Sequence, residues 1–76
     1  MKIEASVLKN IKRALPHGAI SKIARESNTH RQNVQNELSR IKDDYDEEII
    51  YKAICVMKEA GYPVKALKLN FSNHQL

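Results

Sequence analysis

One cysteine, Cys55, is the only thiol in the 76 residues of this chain. It excludes an internal disulfide and leaves no second thiol for a zinc site, so a reducing compartment is expected. No stretch approaches the roughly 20 apolar residues that span a bilayer, and the opening MKIEASVLKN lacks the apolar core of a signal peptide. These absences predict a cytoplasmic protein with no membrane partner. Only two glycines occur, and no Gly-rich phosphate loop can be assembled from them. Nor is there a Ser/His/Asp, Cys/His or paired-carboxylate arrangement suited to catalysis. The expectation is a protein that is not an enzyme and carries no cofactor. His17, His30 and His74 have no metal-ligand spacing, and no acidic residue completes a site around them, so no metal is expected. The acidic run from Asp43 to Glu48 lacks the Gly-centred loop that an EF-hand needs. Helix capping accounts for it better, and Cys55 reads as a small core residue.

What the chain does have is charge, unevenly placed. Lys and Arg number 13 against 9 Asp and Glu, a net +4 with a sequence pI near 9.4. Through Lys42 there are nine basic residues against three acidic, a net +6; from Asp43 onward there are four against six, a net −2. A basic portion joined to an acidic one is the pattern of a chain with one end toward a polyanion and the other given to structural or pairing work. At this size a core stabilises by only about 3–5 kcal/mol without staples, so association with a second copy is expected.

The apolar residues recur at helical spacing along most of the chain. From Ile3 to Leu15, Val7, Leu8, Ile11, Ala14 and Leu15 mark one face of a first helix. Pro16 ends it, because the residue before proline is pushed out of the helical region. Ile20, Ile23 and Ala24 stripe a second helix over Ala19 to Glu26, and Ser27-Asn28-Thr29 makes a polar turn in which Asn28 tolerates the left-handed conformation. A third helix is predicted from about His30 to Ile41, with Val34, Leu38 and Ile41 apolar. Its other face, Arg31, Gln32, Asn33, Gln35, Asn36, Ser39 and Arg40, is rich in amides. Asn and Ser are mediocre helix formers, so their use here sacrifices propensity that Ala, Glu or Lys would supply and suggests recognition. The fourth helix is expected to open with Asp44 as N-cap and Glu47 three residues later, and to run to Ala60, where Gly61 stops it. In Leu67-Lys68-Leu69-Asn70-Phe71-Ser72 the period changes to two, the mark of a half-buried strand. With no other strand in the chain, this segment either pairs with its copy in a second chain, packs on the helices as an extended tail, or is disordered.

A helix-turn-helix needs a small residue midway along its first helix, a tight turn, and an aliphatic residue midway along its second to lock the crossing. Ala24, Ser27-Asn28-Thr29 and Val34 meet the three requirements in order, with Ile20, Ile23, Leu38 and Ile41 beneath. From Leu15-Pro16-His17-Gly18 through Ile20-Ser21-Lys22-Ile23-Ala24 and Ser27-Asn28-Thr29-His30-Arg31-Gln32-Asn33-Val34 to Leu38, the chain resembles the helix-turn-helix of the lambda repressor and Cro superfamily of small bacterial and phage regulators. The resemblance covers about Leu15 to Ala60. Asn28 stands where that family usually has Gly, Thr29 and Glu37 where aliphatic residues are usual, and His30 where Ser or Thr commonly caps. The strand-like segment takes the place of the family's frequent fifth helix, as in Cro-like members that dimerise through a C-terminal strand.

The fold class so predicted is all-α, a compact four-helix bundle containing a helix-turn-helix over residues 1–61, with residues 62–76 as a C-terminal β-strand or extended tail. The resemblance implies a sequence-specific double-stranded DNA-binding transcriptional regulator, a repressor of Cro-like kind, with the third helix in the major groove. Transferred by position, Arg31, Gln32, Gln35 and Asn36 face bases; Arg binds guanine bidentately, and Gln or Asn binds adenine. Ser21, Lys22, Asn33, Ser39, Arg40 and Lys42 fall to the DNA backbone, Asn33 either touching DNA or pointing along the groove wall. A homodimer is expected, through Leu67, Leu69 and Phe71. The alternative is a protein-interaction module on the same scaffold, such as an antitoxin or a phage adaptor.

Overall fold

The computed structural model describes residues 2–40, 42–67 and 69. Its α-helices are α1 (Ala5–Ala14), α2 (Ala19–Glu26), α3 (Arg31–Ser39) and α4 (Glu47–Glu59), followed by a 3-10 turn over Val64–Leu67. There is no strand among the described residues. The Cα radius of gyration is 11.1 Å, in line with the roughly 11 Å of a compact chain of this length.

Each helix sends its apolar stripe to one core. Ile11 of α1, Ile23 of α2, Val34 and Leu38 of α3, and Ile50 and Ile54 of α4 are all but fully enclosed. α2 lies centrally, packed on both α3 and α4. Ala19 and Ala24 are buried on it, and their short side chains allow the neighbouring helices to approach. Ile3 precedes α1 yet is buried alongside Leu8, so the chain entering the helix is pinned by an apolar residue on either side of its first turn. Leu15 is extended, at φ −68 and ψ 129, as its place before Pro16 requires.

Two helices end in the same way. Asn28 stands at φ 54; the N–H of Thr29 donates to the carbonyl of Ala24 at 2.9 Å and that of Asn28 to Arg25 at 3.3 Å. Gly61 stands at φ 94, with Tyr62 N–H donating to the Met57 carbonyl and Gly61 N–H to the Lys58 carbonyl, both at 3.0 Å. Each is a Schellman ending, which satisfies the last carbonyls and turns the chain sharply away. The left-handed Asn28 and the stop at Gly61 are as the sequence predicts.

Three expectations need correction. Asp46, not Asp44, caps α4: its Oδ1 accepts from the N–H of Glu48 at 3.0 Å and of Ile49 at 3.4 Å. The cause is Tyr45, which is 2% exposed and holds the preceding loop against the core, so the helix begins only after it. α3 runs from Arg31 to Ser39, shorter at both ends than predicted. Arg40 is already extended at ψ 141, and its carbonyl accepts from the Tyr45 hydroxyl at 2.7 Å rather than continuing the helix. Leu67 closes a 3-10 turn instead of opening a strand. Val64, buried, and Leu67, half-buried, are three residues apart, the spacing that stacks side chains on one face of a 3-10 turn. Leu67 and Leu69 pack against the core. Lys68 and residues 70–76, and with them the rest of the expected strand and Phe71, lie outside the described residues, as does Ile41.

Candidate nucleic-acid interface

The exposed face of α3 follows from how the helix is anchored. Val34 and Leu38 fix its inner side, with Gln32 and Asn36 across the helix from them, Asn33 and Gln35 on the flanks and Arg31 at the N-terminal end; Arg31, Gln32, Asn33, Gln35 and Ser39 are exposed, and Asn36 is half-buried. The N-terminus of α3 has an extended His30 and no side-chain cap. Uncapped amides with Arg31 beside them make a positive helix end, suited to an anion.

A shallow groove runs along each flank of α3. On one side Arg31, Gln35 and Ser39 meet Lys12 of α1 and Ile20 of α2. The Lys12 ammonium donates to Ser39 Oγ at 3.1 Å, which brings a cation from 27 residues away onto the rim of this helix. On the other side Asn33, Asn36, Arg40 and Lys42 gather with Thr29, Glu37 and Asp46. Gln32 stands on the crest between them, its Nε2 donating to Asn36 Oδ1 at 3.0 Å. Asn33 Nδ2 donates to Thr29 Oγ1 at 2.9 Å and so ties the start of α3 to the turn.

Eight of the ten residues expected at the site therefore share α3 and its flanks. Ser21 is exposed on α2. Lys22 turns the other way, across α2 to α4, where its ammonium meets Glu59 at 2.9 Å. The hydrogen bond from Lys22 to Glu59, and then the carboxylate's charge, raises the lysine above its ordinary value. Lys42 pairs with Glu37 Oε1 at 2.7 Å and stands 5.9 Å from the centre of the Tyr45 ring.

Three residues that shape this surface escape sequence reasoning. Lys12 reads only as a cation in the last turn of α1, and its neighbour Ser39 is fixed by the fold. Glu37 reads in the sequence only as a charge on α3, and its role comes from the fold. Its side chain, 11% exposed, accepts the Asp46 N–H through Oε2 while Oε1 holds Lys42, so α3 is fastened to the start of α4. Tyr45, a lone aromatic among acids, accepts the Lys42 N–H at 3.0 Å and donates to Arg40, setting the path of the loop that carries both cations.

Among the described residues no three His, Cys, Asp or Glu side chains gather where they could hold a metal ion. No helix among them is long and apolar enough to cross a membrane. Compared with family models, with curated proteins and with solved structures, the chain finds no match in any of the three.

Proposed function

We propose that the chain is a sequence-specific double-stranded DNA-binding regulator, with α2 and α3 acting as a helix-turn-helix and α3 entering the major groove. The observation that carries this reading is the outward face of α3. Gln32 and Asn36 lie on it, and Arg31 and Gln35 border it along one flank, over an inner face anchored by Val34 and Leu38 and beside a turn closed from Thr29 to Ala24. A helix about 10–12 Å across fits a major groove about 12 Å wide. Arg, Gln and Asn are the side chains that read guanine and adenine edges there, whereas a merely solvated face is more economically built from Glu and Lys. The open N-terminal end of α3 supplies contacts to phosphate, and Lys12, Arg40 and Lys42 line its flanks.

The regulator acts as a homodimer, because one short recognition helix binds weakly and two joined rigidly gain by effective concentration. Half-sites about 34 Å apart, one helical turn, are the expected geometry. Leu67, Leu69 and Phe71 are the residues proposed for pairing, Leu67 and Leu69 through the part of each side chain left exposed where it is half-buried on its own core. Repression of Cro-like kind is the proposed consequence of occupying such a site.

A mobility-shift titration at low salt tests the reading. Arg31→Ala and Gln32→Ala are expected to weaken the cognate duplex by about 1–3 kcal/mol and relax base preference. Wild-type protein with no affinity for any duplex under these conditions, but with a protein captured in its place, would favour the interaction-module alternative.

A further inference from the structure

Of the polar side chains on α3, only Gln32 and Asn36 bond to each other. They lie four residues apart on a helix, the spacing that brings side chains together. A Gln or Asn amide has one carbonyl oxygen and one amine, and free in water it presents either to a base by rotating. The 3.0 Å bond from Gln32 Nε2 to Asn36 Oδ1 removes that freedom from both at once. Among the described residues nothing else bonds to the Gln32 oxygen, which is left as an acceptor, or to the Asn36 amine, which is left as a donor.

We propose that Gln32 and Asn36 read DNA as one coupled unit, and that the unit selects adenine. The inference rests on the DNA-binding reading above. One acceptor beside one donor complements adenine, which offers its N6 amine and N7 together in the major groove. Guanine presents two acceptors there and opposes the Gln32 oxygen; cytosine offers only an amine, and thymine only an oxygen and a methyl group. Arg31, one position along the helix, has donors alone and takes guanine. The preferred half-site therefore holds an adenine next to a guanine contact. Asn33, tied to Thr29 Oγ1 at 2.9 Å, is a separate pair that positions the turn and does not share in this unit.

A double-mutant cycle on a duplex recovered from a random pool tests the coupling. Gln32→Ala and Asn36→Ala are each expected to lose roughly 5- to 150-fold in affinity, the range of one bidentate base contact. The double variant is expected to lose no more than either single one. Replacing the adenine is expected to weaken wild-type protein by the same factor and to leave the variants unchanged. Both positions suit Ala in a helix, so matching thermal melts will separate a binding loss from a folding loss. In the free protein, Asn36→Ala is expected to shift the side-chain amide resonances of Gln32. Losses that multiply in the double variant, or variants that keep the adenine preference, overturn the coupling while leaving DNA binding intact. Wild-type protein that binds no duplex overturns the DNA reading and this inference with it.

Discussion

The N–H of Thr29 donates to the carbonyl of Ala24 at 2.9 Å, over an Asn28 held at φ 54. The bond sets the angle at which α3 leaves α2, and the left-handed residue makes it geometrically attainable. Asn28→Ala is expected to destabilise by about 1–2 kcal/mol, since an ordinary side chain is strained in that conformation. Asn28→Gly, free of that strain, is expected to match or exceed wild type. Urea midpoints measure both, and equal midpoints for the Ala and Gly variants would show that the turn imposes no such demand.

Tyr45 is the one aromatic ring in the buried core among the described residues, and its hydroxyl is bonded on both sides, to Arg40 and to Lys42. Tyr45→Phe keeps the ring but leaves a carbonyl and an N–H without their partner, so a loss of about 1–3 kcal/mol is expected. Tyr62→Phe, at a position 46% exposed, is the control and is expected to melt as wild type does. A Tyr45→Phe melt indistinguishable from wild type would mean that the loop from Arg40 to Tyr45 is held by other contacts.

The pair between Lys22 and Glu59 carries a pH signature. Glu59 raises Lys22 above its ordinary value of 10.5. A raised folded value stabilises the folded state below the unfolded value, and that contribution is lost as pH climbs through the folded one. Glu59→Gln is therefore expected to lower the melting temperature slightly at neutral pH, as befits an exposed pair. The difference is expected to close in strongly alkaline solution, above the lysine's ordinary value. A difference that stays constant to high pH would show that Glu59 acts by something other than the lysine's charge.

The two flanks of α3 and the far side of α2 are expected to respond differently to salt. Lys12→Gln and Arg40→Gln each remove a cation beside the recognition face, so each is expected to flatten the logarithmic dependence of duplex affinity on salt by about one unit. Lys22→Gln is expected to change it less, because Glu59 already occupies that ammonium. Equal slopes for all three variants would mean that the Lys22 pair opens on DNA.

Much of this architecture is legible in the sequence, for identifiable reasons. Val34, Leu38, Ile50 and Ile54 repeat at helical spacing and are buried as that spacing requires. Pro16, Asn28 and Gly61 act through their own backbones, so their effects are local and readable. The α4 cap is misread because three aspartates, Asp43, Asp44 and Asp46, stand before the helix, and the choice among them is made by tertiary packing, the burial of Tyr45 between the last two. Leu67 is misread because a period of two and a period of three share their first residues, and packing of Val64 on the core decides between them. At the site, the amide-rich face of α3 is visible in composition. Lys12 beside Ser39, Glu37 on the start of α4, and Lys22 turned to Glu59 are contacts between residues far apart along the chain, which no local pattern encodes.

Selection of bound duplexes from a random-sequence pool by the full chain tests the central claim most directly. The expected result is enrichment of a two-fold symmetric motif with half-sites about one helical turn apart, each holding a guanine beside an adenine, and loss of the enrichment in Arg31→Ala. A pool that emerges as random as it entered, with wild-type protein folded throughout, would contradict DNA recognition by α3.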